Sequence, residues 1–166
     1  MSRLDSFIRR MTSQKIILEY LVDKVNEVEG PILELGLGNG RTYDHLREIY
    51  PNKEIFVFDH ALTCHPSCAP DAEHMIQGDI RDTLAFCGPR VGGKASFAHI
   101  DIGSGDPTTD LATVHWLAPM IDERMAVGGY ILTGLELKLP NFEYLPNPEG
   151  IKADRNFIYR KTSEAQ

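Results

Sequence analysis

The sequence predicts an α/β fold of three layers, α/β/α, around a mostly parallel, doubly wound sheet of about seven strands with an antiparallel edge pair at the C-terminal end. Three observations predict it. Between residues 31 and 134 short apolar runs alternate with amphipathic stretches, the pattern of parallel strands joined by crossover helices. Several of those runs stop at a glycine or an aspartate, as in Leu35-Gly36, Phe58-Asp59 and Ile100-Asp101. Residues 135–166 instead hold two apolar runs with no helical pattern between them, which suits a closing antiparallel pair.

Residues 1–30 read as helix, since Ile16, Ile17, Tyr20, Leu21 and Val25 recur at three- and four-residue spacing. Thr12 or Ser13 offers a cap for its start, and Gly30-Pro31 ends it. Pro31–Leu35 is a short buried-type strand stopped by Gly36. Thr42–Tyr50 follows as a helix closed by Pro51-Asn52, and Glu54–Phe58 as a second strand ending in Asp59. Glu73–Gln77 is a short third strand and Asp79–Cys87 a helix. Ala95–Ile100 is the fourth strand, ending in Asp101. Thr108–Met125 is helical, with Pro119 either kinking it or splitting it in two. Gly129–Thr133 is the fifth strand; Phe142–Leu145 and Asn156–Lys161 are the last two.

At 166 residues the chain is expected to form a single domain, 1–166. Within it, 1–30 is the N-terminal helical segment, 31–134 the binding core and 135–166 the strand pair. The formal charge of −7 argues against a nucleic-acid partner, because phosphate binding relies on clustered Lys and Arg. No apolar run approaches the ~18 residues of a membrane span, so no membrane partner is expected. The opening Met1–Asp5 lacks the features of a secretory signal, and a cytoplasmic location is expected. Three cysteines cannot all pair within the chain. Cys64 and Cys68 sit beside His60 and His65, but no second ligand pair supports a zinc cluster; a loop is the better reading, and no metal site is expected.

The chemistry concentrates in Ile32-Leu-Glu34-Leu-Gly36-Leu37-Gly38-Asn39-Gly40-Arg41-Thr42. A strand running into three alternating glycines and then a helix sets bare backbone against a ligand at a helix N-terminus, where free N–H groups favour a carboxylate or phosphate. The dinucleotide fingerprint G-x-G-x-x-G fails here, because its third glycine falls on Arg41 or, counted from Gly38, on Tyr43. What stands is Glu34-x-Gly36-x-Gly38-x-Gly40, and this resembles motif I of the class I (Rossmann-like) S-adenosylmethionine-dependent methyltransferases, in a compact stand-alone member of bacterial type.

The resemblance covers residues 31 to 134 and implies a site. In that family the glycine loop, here Gly36, Leu37, Gly38, Asn39, Arg41 and Thr42, accommodates the methionyl part of S-adenosyl-L-methionine. The acid, here Glu34, lies beside the cofactor's positive end, where a carboxylate suits an ammonium and a sulfonium and would repel a pyrophosphate. Asp59, with His60 after it, stands where a carboxylate accepts both ribose hydroxyls. Gln77-Gly78-Asp79-Ile80 looks like the family's adenine site; Asp79 reads equally as a helix N-cap. Met125–Leu132 resembles the helix-to-fifth-strand turn with paired glycines.

Displacement at an activated methyl chiefly needs in-line placement of a nucleophile, with a base where the acceptor is a hydroxyl or protonated amine. Asp101, His60, His99 and His115 are the candidates, and Asp101 is favoured as the acid nearest the acceptor, also in contact with the cofactor. His99 reads otherwise as a core residue and His115 as a helix residue beside Trp116. Asp101, Asp106 and Asp110 faintly resemble the Mg²⁺ set of cation-dependent O-methyltransferases, without the later Asp-Asn partner. Acceptor recognition is assigned to the N-terminal helix and the segments His60–Ala72, Gly103–Asp110 and Gly134–Gly150. With no added domain the acceptor is expected to be a small molecule, and a homodimer is an expectation wherever a second subunit completes the pocket. Two rivals remain: a non-catalytic S-adenosylmethionine-binding module and an NAD-dependent oxidoreductase.

Overall fold

In the computed structural model, which describes residues 2–152 and 155–164, one continuous helix takes up the start of the chain. α1 (Arg3–Asn26) opens on a reciprocal cap: Ser2 Oγ accepts from the Asp5 N–H at 3.0 Å, and the Asp5 carboxylate accepts from the Ser2 N–H at 2.9 Å. Two donors that a helix start leaves orphaned are thereby satisfied. The expected start at Thr12 or Ser13 is corrected, since this cap lies well upstream and both residues fall inside α1. The buried stripe is also turned slightly: Ile17, Leu18, Leu21 and Val25 are enclosed, while Ile16 and Tyr20 are exposed.

Among the described residues, seven strands form one sheet in the order β3-β2-β1-β4-β5-β7-β6. β1 (Ile32–Leu35), β2 (Ile55–Asp59), β3 (Met75–Gln77), β4 (Ala95–Ile100) and β5 (Met125–Thr133) are parallel, whereas β6 (Phe142–Leu145) and β7 (Phe157–Lys161) join antiparallel. β5 starts ahead of the expected Gly129, with a shift of register between Ala95 and Phe97 on β4. Every residue of β1, β2 and β4 is buried, as in a sheet covered on both faces.

α2 (Arg41–Ile49), α3 (Ile80–Phe86), α4 (Gly88–Val91) and α5 (Pro107–Arg124) complete the layers. α4 was not expected, and α5 runs unbroken through Pro119. On one face, Ile17, Leu21 and Leu46 of α1 and α2 pack with Ile32, Val57 and Phe97. On the other, Leu84, Leu117 and Ile121 of α3 and α5 pack with Leu33, Leu35 and Ile100. Side chains alternate along a strand, so Glu34 and His99 fall on the α1 side.

β1 and β4 are neighbours, yet the chain leaves β1 toward β2 and β3 and leaves β4 toward β5. The loops at their carboxyl ends therefore part company. In open α/β sheets this divergence opens the crevice that takes ligands.

Candidate functional site

The bend after β1 is dictated by a close approach. Gly36 adopts φ +93°, and a Cβ there would stand 2.5 Å from the Asp101 carbonyl oxygen, so no side chain fits. Gly38 also has positive φ, but the space where its Cβ would point holds nothing within 4 Å. α2 then starts at Gly40 with no side-chain cap, which leaves its first N–H groups to another partner.

A hollow of about 210 Å³ lies against this bend. Seven residues singled out in the sequence line it: Gly36, Leu37, Gly38, Asn39, Arg41, Thr42 and Asp101. The opposite wall is α1, through Phe7, Arg10, Met11 and Gln14. The Arg10 and Arg41 guanidiniums stand 5.9 and 6.0 Å from the Phe7 ring centre, close enough for cation–π attraction. Two cations thus flank the mouth of the hollow.

Next to it opens a cavity of about 690 Å³. Arg10, Met11, Gln14 and Asp101 border both spaces and form the partition between them. The cavity's other walls include His99, Ser104, Asp110, Leu135, Glu136 and Arg155. Residues of α1, of Gly103–Asp110 and of the start of Gly134–Gly150 line this cavity. The His60–Ala72 segment does not line it; that loop packs over the start of α2, where Cys68 and Cys64 crowd Gly40.

Glu34 is corrected. Its carboxylate is 1% exposed and lines neither space; Oε2 accepts from His99 Nδ1 at 2.7 Å. The reason is register, because Glu34 and His99 are paired residues of the β1–β4 ladder on one face of the sheet. For His99, burial works against the imidazolium but the Glu34 carboxylate outweighs it, so its pKa is raised. His99 Nε2 then meets Gln14 Nε2 at 2.9 Å.

Asp59 stands at the end of β2 with both carboxylate oxygens engaged by the chain. Oδ2 accepts from the Leu37 and Gly38 N–H groups at 2.8 and 3.2 Å, and Oδ1 accepts from Ala61 at 3.2 Å beside His60 Nδ1 at 3.0 Å. Burial alone would raise its pKa; the three backbone donors win and lower it. Asp59 therefore pins the glycine bend from β2. His60 is exposed, and its carbonyl accepts from Gln77 Nε2 at 3.2 Å. Asp79 caps α3, accepting from the Arg81 N–H at 2.9 Å. Gly78, Asp79 and the half-buried Ile80 form a rim along β2 and β3, apart from the two spaces.

Other candidates have structural employment. Asp106 caps α5 by accepting from Thr109, and Asp110 accepts from the Ser104 N–H and hydroxyl at 2.7 and 2.8 Å. Among the described residues no group of three or more His, Cys, Asp or Glu is placed to hold a metal ion. His115 is exposed on α5 and lines neither space. Phe7, Arg10, Gln14 and Arg155 were not singled out as site residues.

Comparison with known proteins bears on the same region. Residues 1–161 match the family described as S-adenosyl-L-methionine methyltransferase. No curated protein matches the sequence. Among solved structures, an S-adenosyl-L-methionine methyl transferase from Silicibacter pomeroyi is 40% identical, with a TM-score of 0.89 over 97% of this chain and 99% of that one. A TDP-rhamnose 3′-O-methyltransferase of calicheamicin biosynthesis is similar in fold, at 18% identity and TM-score 0.63 over 95% and 83% of the two chains. So is human methyltransferase-like protein 13, solved in complex with SAH, at 16% identity and TM-score 0.56 over 95% and 83%.

Proposed function

Because the chain belongs to the S-adenosyl-L-methionine methyltransferase family, we propose that it passes the methyl group of that cofactor to a small molecule seated in the larger cavity. One observation carries the proposal: two spaces of different character share a partition of four residues, Arg10, Met11, Gln14 and Asp101. The cavity volume of about 690 Å³ lies within the range of small-molecule sites.

The residues of the glycine hollow fit the cofactor's methionyl end. Gly38 leaves open space for a close approach, the uncapped α2 N-terminus offers N–H groups to a carboxylate, and Arg10 and Arg41 add positive charge at the mouth. We assign Asp59 the task of holding the bend and Asp79 and Ile80 that of the nucleoside rim. S-adenosyl-L-methionine supplies an electrophilic methyl on a good leaving group. The chain's own part is to hold the acceptor in line against the partition. The Asp101 carboxylate would take up the proton that the acceptor gives up on methylation. We place residues 1–166 in one functional domain, in a cytoplasmic setting that suits its three free cysteines.

A thermal-shift series tests the binding half. S-adenosylhomocysteine at a hundred times its dissociation constant adds about 2.7 kcal/mol, a rise of roughly 5–10 °C at this size; NAD gives none. A rise with NAD alone would overturn the proposal. Homocysteine release against a panel of small acceptors tests turnover and separates an enzyme from a binding module.

A further inference from the structure

Gln14 stands on the shared partition, and one side of its carboxamide is already committed. Its Nε2 lies 2.9 Å from His99 Nε2, and His99 Nδ1 lies 2.7 Å from Glu34 Oε2. A carboxamide nitrogen only donates. With His99 neutral, as at the pH of the test below, the imidazole accepts at Nε2 and donates from Nδ1 to Glu34. Each bond fixes the next: the buried carboxylate selects the tautomer, and the tautomer decides which way the amide faces. Glu34 and His99 are 1% and 2% exposed, so water does not compete for these bonds. Gln14 itself is half-buried, and its Oε1 accepts no hydrogen bond from the described residues. An oriented acceptor atom is left at the boundary between the glycine hollow and the larger cavity, alongside Asp101.

Resting on the methyl transfer proposed above, we infer that Gln14 is a specificity-determining residue whose carboxamide oxygen, aimed by the Glu34–His99 pair, accepts a hydrogen bond from the attacking group of the acceptor. The acceptor's nucleophile then carries two hydrogens, one held by Gln14 and one released to Asp101: a primary amine. A thioether or tertiary amine would set its lone pair against that of the carbonyl, and such a mismatch rejects a ligand as effectively as a clash. Gln14 cannot take the proton itself, because a carboxamide is not a base at neutral pH. Its part is alignment, and the proton leaves to Asp101. His99 and Glu34 are positioning residues that act through Gln14.

The test needs no knowledge of the acceptor. Sinefungin carries an amine where the cofactor carries its methyl, so it presents an N–H donor at the partition; S-adenosylhomocysteine presents nothing there. Affinities for both are measured by calorimetry at pH 8.5 on the full chain. In Gln14→Leu the preference for sinefungin over S-adenosylhomocysteine falls about tenfold, the worth of one good hydrogen bond, while S-adenosylhomocysteine stays within threefold. Gln14→Glu, which still offers an acceptor, keeps the preference. His99→Phe lowers it at least threefold, and the wild-type ¹⁵N spectrum shows His99 as the Nδ1–H tautomer. An unchanged preference in Gln14→Leu, or an Nε2–H tautomer, overturns the inference while leaving the methyltransferase reading intact. If the wild type binds neither compound, that reading fails and the inference falls with it. Circular dichroism of each variant separates lost binding from lost folding.

Discussion

Gly36 and Asp101 meet where β1 and β4 release the chain, and the contact leaves no room for compromise. Alanine at position 36 combines a disfavoured positive φ with a backbone clash at 2.5 Å. Gly36→Ala should cost about 2–3 kcal/mol and abolish S-adenosylhomocysteine binding, which thermal melts with and without ligand would show. His99 supplies a second prediction at this scale. Its pKa is raised in the folded protein from an ordinary value of 6.5, because Glu34 outweighs the effect of burial. Its stabilising contribution is therefore complete below about pH 6.5 and is lost as pH climbs through the raised value. The melting temperature should decline between pH 6.5 and 9, and His99→Asn should flatten that slope. An equal slope in the variant would show that the buried pair does not govern it.

Among the elements, α1 does two jobs with different halves. Its second half buries Ile17, Leu18, Leu21 and Val25, while the first half is largely exposed yet walls both spaces. Ser2→Ala removes the cap and should cost about 1 kcal/mol locally. Amide exchange over residues 3–10 should speed up and S-adenosylhomocysteine affinity fall several-fold, with the global melt barely moved. Retained affinity alongside faster exchange would mean that this half is not part of the site. The contrast also marks what the sequence made legible. The strands and the glycine bend could be read because they are written locally, as apolar runs and as glycines at alternate positions. The helix start was missed because Ser2-x-x-Asp5 departs from the usual Glu or Gln at the third place. The Glu34–His99 bond was missed because its partners lie 65 residues apart, and only the β1–β4 register brings them together. Arg155 reaches the cavity for a similar reason: β7 inserts beside β5.

For the molecule as a whole, the C-terminal strand is fastened by an enclosed cation. Lys161 is 1% exposed, and its Nζ donates to the Asp122 and Met125 carbonyl oxygens at 2.9 and 3.0 Å while standing 3.1 Å from Asp122 Oδ1. Asp122 Oδ2 in turn accepts from Asn141. Lys161→Ala leaves a buried carboxylate without its countercharge and should destabilise by about 3–5 kcal/mol in urea titration, whereas Lys161→Met combined with Asp122→Asn should recover most of that. No recovery in the double variant would locate the loss in packing instead of charge.

The spatial order β5-β7-β6 has a consequence for biogenesis. As the chain emerges from a ribosome, β6 appears before the strand that will attach it, and the flank of β5 stays bare until β7 arrives. A nascent chain halted before Phe157 would carry an open row of amide and carbonyl groups together with a loose hairpin arm, the kind of edge on which sheets aggregate. Chaperone demand should therefore rise once β5 has emerged and vanish once β7 slots between its neighbours.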